Sequence, residues 1–229
     1  MKFVAAWIFS LFAWSADGVD DARSVHQPTS RLKSSKKTTG DQAQSSVTRL
    51  LQQFGKMPGL SANFREEKRM ALLAAPLINE GTIHFAQGKL VRHTLKPTVS
   101  SVLVSEGKLQ FFDGTITKSL DVDSHPLLRH YVATFAMIFG GDYTGLAKNY
   151  RIQVSEEQSL WTMIFEPRHP KVAKIISKIV LKGRELMLAE MSIVEVSGDV
   201  TFTRFSTVRV DRSYTSKEMQ QIFRVGPTR

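Results

Sequence analysis

The segment from Pro58 to Gly114 constrains the fold more than any other part of the chain. It breaks into short apolar runs separated by Pro76, Gly81, Gly88, Pro97, Gly107 and Gly114. Strand-length runs between turn-forming residues read as antiparallel hairpins. In the first run Leu60, Ala62 and Phe64 share one face, but the same parity carries Glu66 and Lys68. Either the strand leaves the core after Phe64, which the pattern favours, or Glu66 points to the concave side and pairs with a base there. Ile83 and Phe85 alternate in the second run. In the third, Val91 and Leu95 share one face and Leu90 and Arg92 the other. Val102 with Val104, then Leu109 with Phe111, continue the pattern, and a strand near Thr115–Leu120 closes this half.

The C-terminal half returns to strands at Tyr150–Val154, Leu160–Phe165, Ala173–Lys182, Leu186–Val196 and Val200–Val210. About ten strands in successive hairpins exceed what a flat open sheet holds comfortably, so the sheet should curl. Four segments read as helical. Val47, Leu50, Leu51 and Phe54 fall at i, i+3, i+4 and i+7 within residues 44–57, an amphipathic helix ended by Pro58-Gly59. Residues 125–139 start at Pro126 and stop at Gly140-Gly141, with Leu128, Tyr131, Phe135 and Ile138 on one face. A short helical turn follows around Asp142–Lys148, and a terminal helix is expected at Ser216–Phe223 before a frayed end. The predicted class is mainly β with helices (α+β).

Residues 1–15 combine a Lys with an apolar run too short for a comfortable membrane span and small residues at a cleavage position, the pattern of a secretory signal peptide, with an uncleaved amphiphilic anchor as the alternative. Residues 16–43 are polar, with almost no apolar periodicity, and are expected to be a disordered linker. The chain is expected to divide further into a domain over 44–210 and an extension over 211–229. Net charge is +10, of which Lys2 carries one unit and residues 16–43 one more, leaving the domain basic. Such a surface attracts anionic partners, but its bases are dispersed rather than set in a stripe. Nucleic-acid binding is not expected, because aromatic residues do not interleave with the bases on one strand face.

Catalytic motifs are missing. The chain has no cysteine, which excludes disulfides, thiolate nucleophiles and cysteine zinc sites. The six histidines, His26, His84, His93, His125, His130 and His169, make no ligand pair with a neighbouring acid. There is no phosphate loop, nucleophile elbow or dinucleotide fingerprint. The chain is therefore expected to be no enzyme, with no metal and no cofactor.

Several ordered residues carry a resemblance. SANFREE over 61–67 follows the first helix, and GTIHFAQGKLVRHTLKPTVSSVLVSEGKLQFF follows from Gly81. Phe64, Glu66, Lys68, Leu72, Leu73, Pro76, Leu77, Gly81 and Phe85 are similar to the pattern of a divergent branch. Gly141-Asp142, Leu146, Trp161, Pro167, Gly183 and Gly198-Asp199 fit further on. Together they resemble the LolA-like carriers of outer-membrane lipoproteins. The resemblance implies a curled, antiparallel half-barrel covered by helices, whose concave face holds acyl chains. It also implies an inner-membrane donor transporter, an outer-membrane acceptor, and a monomeric carrier in the periplasm. One departure stands out. At the two positions where the family carries its lid latch, an Arg and a Phe, this chain has Gln87 and Val91; the nearest base is Arg92.

The expected function is thus a periplasmic carrier binding a lipoprotein or related lipid-like molecule. A lipoprotein-sensing module on the same fold is the alternative. Candidate groove residues are Phe64, Ile83, Phe85, Val91, Leu95, Val104 and Phe111 from strands, with Leu128, Phe135 and Phe139 from the helix. Gln87 and Arg92 are the lid or latch candidates.

Overall fold

The computed structural model describes residues 40–121 and 134–226. Six strands form the first half: β1 (Leu60–Arg69), β2 (Leu77–Ala86), β3 (Lys89–Lys96), β4 (Ser100–Ser105), β5 (Lys108–Phe112) and β6 (Thr117–Asp121). Five form the second: β7 (Tyr150–Glu157), β8 (Leu160–Pro167), β9 (Ile176–Arg184), β10 (Met187–Glu195) and β11 (Val200–Arg209). All pair antiparallel in one sheet, ordered β6-β5-β4-β3-β2-β1-β11-β10-β9-β8-β7. Each half is a meander of hairpins, and the pairing of β1 with β11 joins the two. The sheet does not close, so β6 and β7 are its edges.

Register decides which side chains share a face. Leu60, Ala62 and Phe64 of β1 lie opposite Phe85, Ile83 and Gly81 of β2. Phe85 and Ile83 lie opposite Leu90 and Arg92 of β3, which lie opposite Val104 and Val102 of β4. Phe205 and Thr203 of β11, Met191 and Ile193 of β10, Leu181 of β9 and Met163 of β8 continue this face across the second half. We call it the inner face, because two helices cover it.

Those helices are α1 (Gly40–Gly55) and α2 (residues 134–140). α1 starts four residues before the expected position, and Val47, Leu51 and Phe54 are its buried stripe. α2 ends in a Schellman motif: the Asp142 N–H donates to Met137 O at 2.8 Å and the Gly141 N–H to Ile138 O at 3.3 Å. Gly141 supplies the required left-handed residue at φ +74°, and a Cβ there would meet Leu51 O of α1 at 2.6 Å. The stop expected at Gly140-Gly141 is therefore also the crossing point of the two helices. Asp142 then caps α3 (Tyr143–Asn149), accepting from Gly145 N at 2.8 Å.

Ring contacts show the curl. Phe85 on β2 lies 5.2 Å from Phe139 of α2, Phe139 lies 6.4 Å from Phe54 of α1, and Phe54 lies 6.0 Å from Trp161 on β8. The two end rings are therefore within about 18 Å, whereas strands five places apart in a flat sheet are separated by about 24 Å. The sheet bends toward the helices as a half-barrel.

The outer face of the first half has its own small core. Ala86, Val91 and Leu103 are buried there with Phe223, beneath α5 (Ser216–Ile222) and Tyr214. In the expected extension over 211–229, the terminal helix is present as α5, and residues 211–226 pack on this face. A one-turn α4 (Pro170–Ala173) precedes β9, which starts at Ile176 rather than Ala173 because Pro170 opens a helical turn. The predicted signal peptide, most of the predicted linker and residues 125–133 of the predicted second helix lie outside the described residues.

Candidate functional site

The inner face changes character along the strand direction. At one end stand Leu60 and Ala62 of β1, Phe85 and Ile83 of β2, Leu90 of β3, Val104 and Val102 of β4, with Leu109 and Phe111 of β5 beside them. Ile83, Phe85, Leu90, Val102 and Val104 are only half-buried, so among the described residues part of this apolar surface is left uncovered. Phe139 packs against Phe85 here, and Phe135 stacks on Phe139 at 6.4 Å.

Toward the other end the same face turns polar. Glu66 follows Phe64 two residues along β1, is 2% exposed, and lies opposite Asn79 and Thr203. Its Oε1 accepts from Arg92 Nη2 at 2.9 Å and from Asn79 Nδ2 at 3.1 Å. The Arg92 guanidinium lies 4.3 Å above the Phe64 ring, a cation–π contact. It comes from the register position opposite Ile83, one inner-face step from Gly81. A Cβ on Gly81 would fall 1.9 Å from His93 O, so the β2–β3 bulge at this point needs glycine. Further along, Lys68 Nζ pairs with Glu195 Oε1 at 3.5 Å, and both side chains are buried. Burial pushes the Glu195 carboxyl above its usual range, against the lowering pull of Lys68.

A model of the outer membrane lipoprotein carrier protein LolA-like family matches residues 40–220. The chain belongs to that family. No curated protein matches the sequence. Solved structures of similar fold include a LolA superfamily protein from Nitrosomonas europaea, 10% identical, covering 75% of this chain and 96% of that one at a TM-score of 0.40. A putative outer membrane lipoprotein-sorting protein domain from Vibrio parahaemolyticus is 10% identical over 78% and 96%, with a TM-score of 0.42. Lipoprotein LppX from Mycobacterium tuberculosis is 10% identical over 76% and 100%, with a TM-score of 0.41.

Within this LolA-like half-barrel, Phe64, Ile83, Phe85, Val104 and Phe111 lie on the inner face, and Phe135 and Phe139 lie on α2 beside it. Leu128 lies outside the described residues. Two of the expected residues are corrected. Val91 is fully buried on the outer face under α5, because it lies opposite His84 and Leu103 rather than Phe85. Leu95 is the extra residue of the bulge between Glu80 and Gly81, which takes it out of the alternation and leaves it 45% exposed.

Gln87 sits at φ +51° in the exposed β2–β3 turn. Arg92 does face inward, but its ion pair is with Glu66 of the sheet. The favoured reading of β1, leaving the core after Phe64, is also corrected: Glu66 stays inside because Arg92 and Asn79 satisfy it. Leu90 and Val102 were missed, although each shares parity with a residue already singled out, Arg92 and Val104. Leu72 and Leu73, part of the resemblance, lie in the β1–β2 loop, where Leu72 is 92% exposed.

Proposed function

We propose that this chain is a carrier that binds the acyl chains of a lipoprotein, or of a related lipid-like molecule, on the inner face of its half-barrel. It works in the periplasm, receives its cargo from an inner-membrane donor and passes it to an acceptor at the outer membrane. The observation that carries this reading is the half-buried apolar surface of Ile83, Phe85, Leu90, Val102 and Val104 beside the α2 aromatics, in a chain of the LolA-like family. Each methylene moved from water onto such a surface contributes about 0.8 kcal/mol, so an acyl chain binds without any chemical step. On this reading the chain catalyses no reaction. The helices that cover the face move aside to admit the cargo, and the ring contacts of Phe139 are what they must release.

Solvent extraction of the purified protein, followed by mass spectrometry, tests the proposal. A stoichiometric lipid or acylated peptide is expected. Phe135→Glu, which puts a charge beside the apolar surface, should abolish the bound lipid while the protein is still secreted and folded. Equal lipid content in the wild type and the variant counts against this binding face.

A further inference from the structure

We propose that the polar end of the inner face receives the carbonyl oxygens of the cargo's ester or amide linkages, so that the site selects acyl chains over alkyl chains without carbonyls. This inference rests on the carrier reading and specifies which part of the ligand lies where.

Among the described residues, two buried donors of this face make no hydrogen bond. Arg92 has a side chain only 14% exposed, and its Nε–H makes no hydrogen bond although one Nη2–H is given to Glu66. Thr203 is 3% exposed and its Oγ1 makes none either. Register places both on the inner face: Arg92 lies opposite Ile83 and Val102, and Thr203 lies opposite Glu66 and Met191. A buried donor left unmade forfeits its hydration without compensation, so two on one face need an explanation. Ligand oxygens supply one.

Charge decides which kind of oxygen. Arg92 is matched by Glu66 and Lys68 by Glu195, all within this end of the face. With each base already facing a carboxylate, a free anion gains little net attraction. A neutral acceptor keeps the pairs intact and takes only the spare N–H and O–H. The position fits as well. Ile83, Val102 and Phe111 share Arg92's row and Phe85, Leu90, Val104 and Leu109 form the next. A tail lying over these rows brings its linkage to Arg92 and Thr203. The face is therefore amphiphilic along its length, as an acylated molecule is.

The test uses the full-length protein and two short-chain phosphocholines of equal chain length, one diacyl ester and one dialkyl ether. Each displaces an apolar fluorescent probe. A hydrogen bond contributes a net ~0.5–1.5 kcal/mol, so two donors predict that the wild type binds the ester about 5- to 150-fold more tightly. Thr203→Val, which keeps shape, and Arg92→Lys, which keeps a cation for Glu66 but removes Nε, should each lower the ratio of ester to ether affinity. Thermal melting confirms that the variants are folded. Equal wild-type affinity for ester and ether overturns the inference and leaves the carrier reading standing. A wild-type preference that both folded variants retain overturns the assignment to these residues. Failure to bind either lipid overturns the inference together with the carrier reading.

Discussion

The ring of Phe139 lies 5.2 Å from the ring of Phe85, inclined by 31°. This contact ties α2 to the first half of the sheet, while the contact of Phe139 with Phe54 ties it to α1. One side chain thus links the helices to the sheet above the surface proposed for cargo. Phe139→Ala removes both contacts and leaves a cavity. Loss of a buried Phe costs about 3–5 kcal/mol, and the expected result is a fall of that order in unfolding free energy, measured in urea. The same variant should exchange backbone amides of α2 faster than those of β1, because the helix loses its ring contact with β2.

The Glu66–Arg92 pair gives a prediction of a different kind. Removing one partner of a buried pair strands the other, at a cost of about 3–5 kcal/mol. Glu66→Ala should therefore be strongly destabilised. Combining Glu66→Gln with Arg92→Met removes both charges and should cost less than Glu66→Ala alone. Denaturation of the variants checks this, and a double variant less stable than Glu66→Ala would contradict it.

The outer face is expected to respond to acid. Tyr214 donates its hydroxyl hydrogen to Leu60 O at 2.8 Å, so His84 Nδ1–H is the donor in its 3.0 Å contact with that hydroxyl. His93 Nε2–H donates to Ile222 O at 2.8 Å, which ties α5 to β3, while its Nδ1 is buried without a partner. Desolvation is the chief cause that lowers both imidazoles, and His84 falls to about 4. The two rings lie 6.4 Å apart, and the positive charges of a protonated His93 and of Arg212 lower His84 further. In the unfolded chain these groups titrate near the ordinary value of 6.5. Between that value and about 4 the unfolded state binds more protons, so stability rises with pH there. The contribution is complete above 6.5 and is lost progressively as pH falls toward 4. Melting temperature should fall over this window, and a His84→Phe variant should show a shallower slope.

Much of the architecture is legible in the amino-acid order alone. The hairpins follow from alternation between turn residues, α1 from the spacing of Val47, Leu51 and Phe54, and the end of α2 from Gly140-Gly141. These are local signals, because turn geometry and strand or helix period depend on neighbouring residues. The family pattern is legible too, through Phe64, Glu66, Gly81, Phe85 and Trp161 in order.

The sequence by itself determined which residues share a face: Leu90 with Arg92, and Val91 apart from them. Only the tertiary structure decided which of those faces is the inner one, because both rows are apolar enough to be covered. β3 is packed on two sides, with α1 and α2 over one face of the sheet and residues 211–226 over the other. That burial on both sides hid the answer, since alternation marks an inside only when the opposite side meets water. The fate of Glu66 was settled in the same way, by an arginine two strands away that no local pattern could assign to it.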